Sequence, residues 1–392
     1  MIGCGRQAYH TNLPTLLGFD EVQVVAVCDV DRKRASSSKT KVDEYYGNKE
    51  CKLFTDFRET LEISGLDAVM ISTPDHWHAI IALAAIAKGL HVSCEKPLTR
   101  YITEGRKMAD AARAKGIVFR TDTECRSNAY MTRTADLVLN GYLGKIKRFE
   151  VGVGHEVKGS GNPTPMPVPA HLDYDMWLGP APHKEYTRDR VHPENLDDRP
   201  GWMSILDYAE GMITNWGAHL LDVTQLANGT ERSGPVSVEG TGRYPEPGSA
   251  LWDTLQDFNV QYRYANGAIV DFKMNIPYLR VEGEEGWIEA HWNSEGGFKA
   301  SNPNILRTKF KSSDIRVPTR GDKEDFISAI RKGTKVMTDA EIGHRTCSMA
   351  QIGHIAIQRG HRLDWNPVAE KFTNDDEANK LLAGTYRLPW KL

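Results

Sequence analysis

The sequence predicts an α/β protein in two parts, an N-terminal doubly wound parallel sheet and a C-terminal α+β region built on an open, mainly antiparallel sheet. Three observations carry this. The chain opens on Gly3-Cys4-Gly5-Arg6-Gln7-Ala8, a G-x-G-x-x-A turn. Continuous apolar runs then alternate with helix-length segments as far as Thr121, the rhythm of βαβ units. Beyond Asp122 the runs alternate polar with apolar residues, as strands do when one face of their sheet is wet.

In a βαβ unit the first glycine permits the tight turn, the second lets a pyrophosphate approach the backbone, and the small third residue lets helix pack on strand. Only Met1 and Ile2 precede Gly3, so the first strand reads as truncated; the natural start is expected upstream, and an upstream signal segment stays open. Arg6 to Leu17 follows as a short helix, and Glu21 to Val30 (EVQVVAVCDV) as a buried parallel strand. Asp29 ends that strand, close to the spacing of about 20 residues at which a carboxylate accepts the adenosine ribose hydroxyls. An acid there disfavours a 2′-phosphate and predicts NAD. Arg32, Lys33 and Arg34 follow closely enough to neutralise a phosphate, which keeps NADP open.

The alternation continues through a strand at Leu66 to Thr73, a helix from His76 to Lys88, a strand ending at Cys94, a helix from Thr103 to Ala114 and a strand at Ile117 to Thr121. Next come a helix from Ala129 to Leu139 and a strand from Lys145 to Val153. Gly159 to Pro200 holds eight of the 19 prolines and little periodicity, the composition of a cover over a site. A helix at Met212 to Ala227 precedes strand-like runs at Val236–Gly242, Leu255–Tyr264, Ala268–Ile276 and Trp287–His291, and two late helices span Asp322–Arg331 and Asp339–Gln358. The expected domains are 1–122 for dinucleotide binding, 123–335 as an α+β domain, and 336–392 for a helix returning to the first domain plus a tail.

Composition narrows the partners. With 392 residues and a net charge of −3, acids and bases interspersed, no basic face advertises nucleic acid. The longest apolar stretch, near Ala79 to Ala87, falls short of the ~20 residues of a membrane span. Six cysteines without a C-x-x-C pair suit a reducing compartment, so a cytoplasmic location is expected.

Two constellations carry chemistry. Glu95-Lys96-Pro97 directly follows a strand, where a lysine facing a nicotinamide can hydrogen-bond a reacting hydroxyl and offset alkoxide charge. Asn215, His219 and Asp222 stand at i, i+4 and i+7, one face of a helix, where a neighbour can fix the histidine tautomer while the other ring nitrogen acts as general base. His219 and Asp222 at i, i+3 also suit two zinc ligands, but no third and fourth ligand stand nearby, and no metal is expected.

G-C-G-R-Q, C-D-V-D, S-T-P-D-H-W-H, C-E-K-P-L, N-G-Y-L-G-K-I-K, W-L-G-P-A-P and N-W-G-A-H-L-L-D together resemble the Gfo/Idh/MocA family of glucose–fructose oxidoreductase-like and inositol-dehydrogenase-like enzymes, from Met1 to the end. The resemblance implies a Rossmann domain followed by an open-sheet domain often used for oligomer contacts, here expected to form a homodimer or homotetramer. It also implies NAD(P) held at Gly3, Gly5, Arg6, Gln7, Asp29, Thr73, His78 and Glu95, with His76 and Lys96 counted among the contacts, and Lys96 and His219 as the catalytic pair. Many members carry aspartate where this chain has Asn215, which can orient His219 but adds no charge. The expected activity is hydride transfer at a secondary hydroxyl of a sugar, glycoside or cyclitol, with Arg126, Tyr208, Trp216 and Asp222 holding the substrate and Trp202 and the prolyl loop covering it. The alternative is a glycosidase that keeps its NAD and works through a transient 3-keto sugar, for which His155, Tyr208 or Asp222 would be the extra acid/base. A non-enzymatic sensor would have lost Lys96 or His219, and both are present.

Overall fold

The structure, a computed structural model, describes residues 1–155, 159–293 and 296–392. Its first sheet is parallel throughout. Strands β1 (Ala26–Cys28) and β2 (Lys52–Phe54) pair on one side, and β3 (Ala68–Ile71), β4 (His91–Glu95) and β5 (Phe119–Asp122) on the other. Ile2 closes the gap through parallel bridges to both Cys28 and Ile71. Its N–H donates to the Met70 carbonyl at 2.8 Å, its carbonyl accepts from Ser72 N–H at 2.7 Å, and Gly3 N–H donates to the Cys28 carbonyl at 2.8 Å. Met1 and Ile2 thus occupy the central strand position, giving the order β2-β1-Ile2-β3-β4-β5 of a doubly wound sheet.

The second sheet adds β6 (Ile146–Val153), β7 (Ser237–Arg243), β8 (Asp257–Arg263), β9 (Ile269–Met274), β10 (Tyr278–Gly283), β11 (Gly286–His291), β12 (Phe298–Ala300), β13 (Leu363–Asn366) and β14 (Lys371–Phe372). Their order is β12-β11-β10-β6-β9-β8-β7-β13-β14, antiparallel except for β6 beside β9. Period-two alternation sets its faces. In β8 Phe258, Val260 and Tyr262 are buried, while Asp257, Asn259 and Arg263 are exposed. The apolar face packs against helices Ala129–Leu139, Gly217–Ala227 and Ala340–Arg359, and the other carries ion pairs such as Arg148–Asp271 and Lys273–Glu150. Beyond the expected strands, β2, β10 and β12 to β14 are present, and the tail region supplies the last two strands at one side of the sheet, β13 and β14, as well as the late helix.

That late helix, Ala340–Arg359, joins the two sheets. Gly343 leaves no room for a Cβ against the Thr121 side chain at the end of β5, nor does Gly353 against Tyr262 of β8. On the opposing Ile102–Lys115 helix Gly105 faces His344, whose Nδ1 would lie 2.5 Å from an added Cβ. An ion cluster locks the contact: Arg106 donates to Glu341 at 2.6 and 2.8 Å and to Glu370 at 3.0 and 2.8 Å. Among the described residues no helix is long and apolar enough to cross a membrane.

Burial alone would raise the Glu341 and Glu370 carboxyls. The hydrogen bonds from Arg106 and Arg345 to Glu341, and from His344 and Arg106 to Glu370, outweigh it and bring each down to about 2. A carboxyl depressed in the folded state adds stability above its unfolded value and loses it as pH falls through the folded one. Acid unfolding followed by circular dichroism between about pH 4.5 and 2 is therefore expected to show a steep loss of stability, and Glu370→Gln a shallower one.

Candidate functional site

The glycine turn places backbone where a dinucleotide needs it. Gly3 has φ +88°, and a Cβ there would come 2.5 Å from the Ser72 carbonyl, so a side chain is barred twice over. Gly5 faces open space: a Cβ would meet nothing nearer than Arg34 Nη1 at 3.9 Å. The Asp29 carboxylate accepts from Cys4 N–H at 2.7 Å and Asp31 N–H at 2.8 Å, tying the turn to the end of β1. Burial pushes its pKa up despite those bonds. Each oxygen keeps lone-pair capacity for ribose hydroxyls. Arg32 and Lys33 lie exposed, whereas Arg34 is buried and donates to the Pro193 carbonyl at 2.7 Å.

These residues line a cleft of about 1270 Å³, part of it open to solvent, at the carboxyl ends of the parallel strands. Gly3, Gly5, Arg6, Gln7, Asp29, Thr73, Glu95, Lys96 and Asn215 all line it. The bare glycine backbone, the carboxylate with spare capacity and the helix termini at strand ends fit a nicotinamide dinucleotide.

The prolyl segment closes over the opening. Arg6 Nε donates to the Asp197 carbonyl at 3.0 Å, His192 Nε2 lies 2.9 Å from Asp31 Oδ2, and Asp173 N–H donates to the Val30 carbonyl at 3.0 Å. Pro193, Pro200 and Trp202 of this strap also line the cleft. The chain end braces it from behind: Arg387 bonds the Gly179 carbonyl at 2.9 Å, and the Trp390 ring stands 4.7 Å, edge-on, from Trp77.

At the end of β4, Asn12 Nδ2 donates to Glu95 Oε1 at 2.9 Å and Lys96 N–H to Glu95 Oε2 at 3.2 Å. Burial lifts the Glu95 carboxyl to about 6, against the opposing charge of Lys323. Lys96 Nζ donates to Asn215 Oδ1 at 3.2 Å, a bond between the two sheets' domains. His219 lies beyond, 5% exposed, between the Trp216 and Trp292 rings with centroids 5.7 and 5.3 Å away. Its Nδ1 accepts from Glu124 N–H at 3.2 Å, with Thr123 Oγ1 3.4 Å away. The amide is an obligate donor, so in the neutral ring the proton sits on Nε2. Burial, then the charge of Lys96, holds the His219 pKa well below its ordinary value.

This arrangement departs from the expectation at several residues. Asn215 does not hold His219: the helical backbone runs on from Met212 through Trp216 to Ala227, but the Asn215 amide oxygen is engaged by Lys96. Arg126 and Asp222, expected on substrate, grip one another at 2.8 and 2.6 Å, with Arg126 also on the Met337 carbonyl and Glu231. Tyr208 is wholly buried beneath His76 and Trp177. His76 and His78 support the cleft instead of lining it. His76 Nε2 lies 3.1 Å from the Trp177 carbonyl, and burial takes its pKa down to about 3. His78 spans the Thr73 and Pro97 carbonyls at 2.9 Å each. Trp216 stays beside His219. Sequence reasoning passed over Asn12, Asp75, Glu124 and Trp292; Asp75 alone carried a signal, in the strand-end string S-T-P-D-H-W-H.

Fold and cleft together define a two-domain protein built around a dinucleotide-binding parallel sheet. Residues 1–123 match the model of the Gfo/Idh/MocA oxidoreductase family, NAD-binding Rossmann fold, and residues 139–392 that of its C-terminal alpha/beta domain. The chain belongs to this family. It is 30% identical over 146 residues to D-glucoside 3-dehydrogenase of Escherichia coli (37% of this chain, 40% of that protein), and 37% identical over 93 residues to inositol 2-dehydrogenase 4 of Saccharopolyspora erythraea (24% and 26%). Other curated relatives, both uncharacterized oxidoreductases, are matched over 45% and 55% of their length, so the chain spans about half of such proteins. Aldose-aldose oxidoreductase from Caulobacter crescentus superposes with a TM-score of 0.68 at 16% identity, covering 93% of this chain and 98% of that one. The WlbA dehydrogenase from Bordetella pertussis, crystallised with NADH and UDP-GlcNAcA, gives 0.66 at 17% over 93% and 97%. At these identities the likeness is one of fold.

The Arg126–Asp222 pair is 6% and 1% exposed. Removing one partner of a buried pair strands the other charge. Arg126→Met is expected to lower stability in urea by about 3–5 kcal/mol, and a second change, Asp222→Leu, to recover much of it.

Proposed function

We propose that this chain is an NAD-dependent oxidoreductase acting on a secondary hydroxyl, or the corresponding ketone, of a sugar, glycoside or cyclitol. One observation carries the reading: a strand-end lysine, positioned by Asn215 across the domain boundary, stands at the cleft beside a buried histidine. When bound, the nicotinamide supplies the hydride acceptor or donor. Gly3, Gly5, Asp29 and Glu95 would hold the dinucleotide, with Thr73, Arg6 and Gln7 around it, and the Asp29 carboxylate favours NAD over NADP.

The side chains then divide the work on the substrate oxygen. Lys96, a point charge with three donors, holds the oxygen and offsets the negative charge that grows on it during oxidation. His219 offers a second donor, Nε2–H, to the same oxygen. A neutral imidazole costs no protonation and stays in place through the reaction. Trp216 and Trp292 flank that ring and give apolar faces for a sugar's C–H surface.

The retaining-cofactor alternative, an NAD-dependent glycoside hydrolase working through a transient 3-keto sugar, draws support from the strap. A dinucleotide lying beneath Pro193 and Trp202 leaves only when contacts from Arg6, Arg34 and Asp31 part. We further assign oligomer contacts to the ion-paired outer face of the large sheet, as a homodimer or homotetramer, and a reducing, cytoplasmic setting to a chain whose six cysteines are free and buried.

Purified protein, denatured and analysed for released nucleotide, should yield NAD or bind it on addition, and a panel of sugars, inositols and 3-keto glycosides should then change absorbance at the nicotinamide band. Lys96→Met is expected to lower kcat/KM for the responding substrate by roughly 10²–10³-fold, the size of losing one oxyanion donor. Absence of both bound and bindable nucleotide overturns the reading. Release of an aglycone without net NADH selects the hydrolase.

A further inference from the structure

One end of the cleft is held from behind by residues that do not line it. Asp29 marks this as the adenosine end. Beside it Val30, Phe57, Trp77, Ile81 and Met176 line an apolar stretch of wall, which suits the flat face of an adenine. Met176 belongs to the short helix Tyr174–Leu178 of the strap, which docks just past β1. Asp173 N–H reaches the Val30 carbonyl at 3.0 Å, and Arg32 N–H the His171 carbonyl at 2.9 Å. Trp77 Nε1 donates to the Trp177 carbonyl at 3.1 Å, and Gly179 lies so close to the Trp77 ring that a Cβ would come 2.2 Å from it.

Residues 386–392 clamp this junction from outside. Arg387 makes four bonds there. Its backbone N–H donates to the Pro180 carbonyl at 2.8 Å, Nε to the Gly179 carbonyl at 2.9 Å, Nη2 to the Asp175 carbonyl at 2.8 Å, and Nη1 to the Asp175 carboxylate. Trp390 N–H donates to the Arg387 carbonyl at 3.0 Å, a turn that brings the indole back onto the same wall. The ring stands 4.7 Å, edge-on, from Trp77 and 6.5 Å from Phe57, with the Arg58 guanidinium 5.5 Å over it. Its Nε1 is buried and has no hydrogen-bond partner among the described residues, so packing is what the ring supplies.

We propose that Arg387 and Trp390 are positioning residues for the adenosine half of the dinucleotide. They hold the helix Tyr174–Leu178 and the Trp77–Phe57 pair in the arrangement that receives the adenine, and so set how tightly and how long the cofactor stays. This rests on the dinucleotide reading of the cleft. Arg387 acts through the helix that carries Met176, Trp390 through Trp77 and Phe57. A pocket formed for only a fraction of the time binds with its affinity cut by that fraction, so loosening the clamp weakens binding without removing a contact to the ligand. The contacts of Lys96, Asn215 and His219 come from other elements, and the nicotinamide end is therefore spared.

The test titrates wild type, Arg387→Met, Trp390→Ala and Trp390→Phe, freed of bound nucleotide, with ADP-ribose and with NADH by calorimetry. Stopped flow follows the release of NADH. Arg387→Met and Trp390→Ala should each weaken both ligands by the same factor, roughly three- to tenfold, the worth of an aromatic contact, and speed NADH release in proportion. The emission maximum of bound NADH, which reports the nicotinamide end, should stay that of wild type. Trp390→Phe keeps the ring contacts and drops the unpaired N–H, so it should bind as wild type does. Unchanged affinities in both Arg387→Met and Trp390→Ala overturn the proposal while leaving the dinucleotide reading intact, as does a loss for NADH that ADP-ribose does not share. Collapse of the nucleotide-free fold in both variants, seen by circular dichroism, assigns the segment to stability alone and overturns it too. A wild type that binds neither ligand overturns the dinucleotide reading and the proposal together.

Discussion

The cleft depends on the main chain of Met1 to Gly3. These residues pair with β1 on one side and β3 on the other, so the glycine turn emerges at the centre of the sheet. A buried amide or carbonyl left unpaired there would cost about as much as a lost hydrogen bond. The turn also binds back: Cys4 N–H meets Asp29, and Gly3 packs against Ser72 with no side chain between. Asp29, Thr73 and Glu95 then sit at one level along the strand ends. One short stretch of backbone sets the spacing of the whole cofactor wall.

The second domain reaches that wall at several points, beside the helix packing and ion cluster that join the two sheets. Lys96 Nζ touches Asn215, the Ala340–Arg359 helix rests on Thr121, and the strap reaches Asp31 and Arg34. A bond from a lysine to an amide positions the ammonium without neutralising it, whereas an aspartate at Asn215 would form an ion pair with it. On the function proposed above, the uncharged residue would leave more of the Lys96 charge for a substrate oxygen. That reverses the weight the sequence suggests for this position, where the loss of charge is read as a loss to His219.

How much was legible follows from how local each signal was. The glycine turn, Asp29 and Glu95-Lys96-Pro97 lie at strand ends, and a run of apolar residues followed by one polar group shows this without knowledge of contacts. Asn12 and Glu124 act through partners far along the chain, Glu95 and His219, so nothing beside them in sequence marks them. Helical spacing alone gave Asn215 and His219 one face and Asp222 a free carboxylate. Lys96 engages Asn215 and Arg126 engages Asp222, each arriving from another element, so neither side chain is left to serve His219 or a ligand as the spacing suggests. The missed strands have similar causes. β10 alternates in Leu279-Arg280-Val281-Glu282, but Pro277 ahead of it reads as a break, and β12 to β14 are too short to show a period.

The strap bears on which chemistry a bound cofactor would serve. Its contacts with the parallel-sheet domain include the antiparallel bridge of Leu172 to Asp31, hydrogen bonds from Arg6 and Arg34, and the His10–Asp197 and His192–Asp31 pairs, spread from Arg6 to Arg34 along the cleft. Many weak contacts along one segment open together or not at all, since freeing one leaves the backbone tethered by the rest. On the reading proposed above, a dinucleotide lying beneath the strap would exchange only when these contacts part, which is the condition under which oxidation and return of hydride can occur on one molecule.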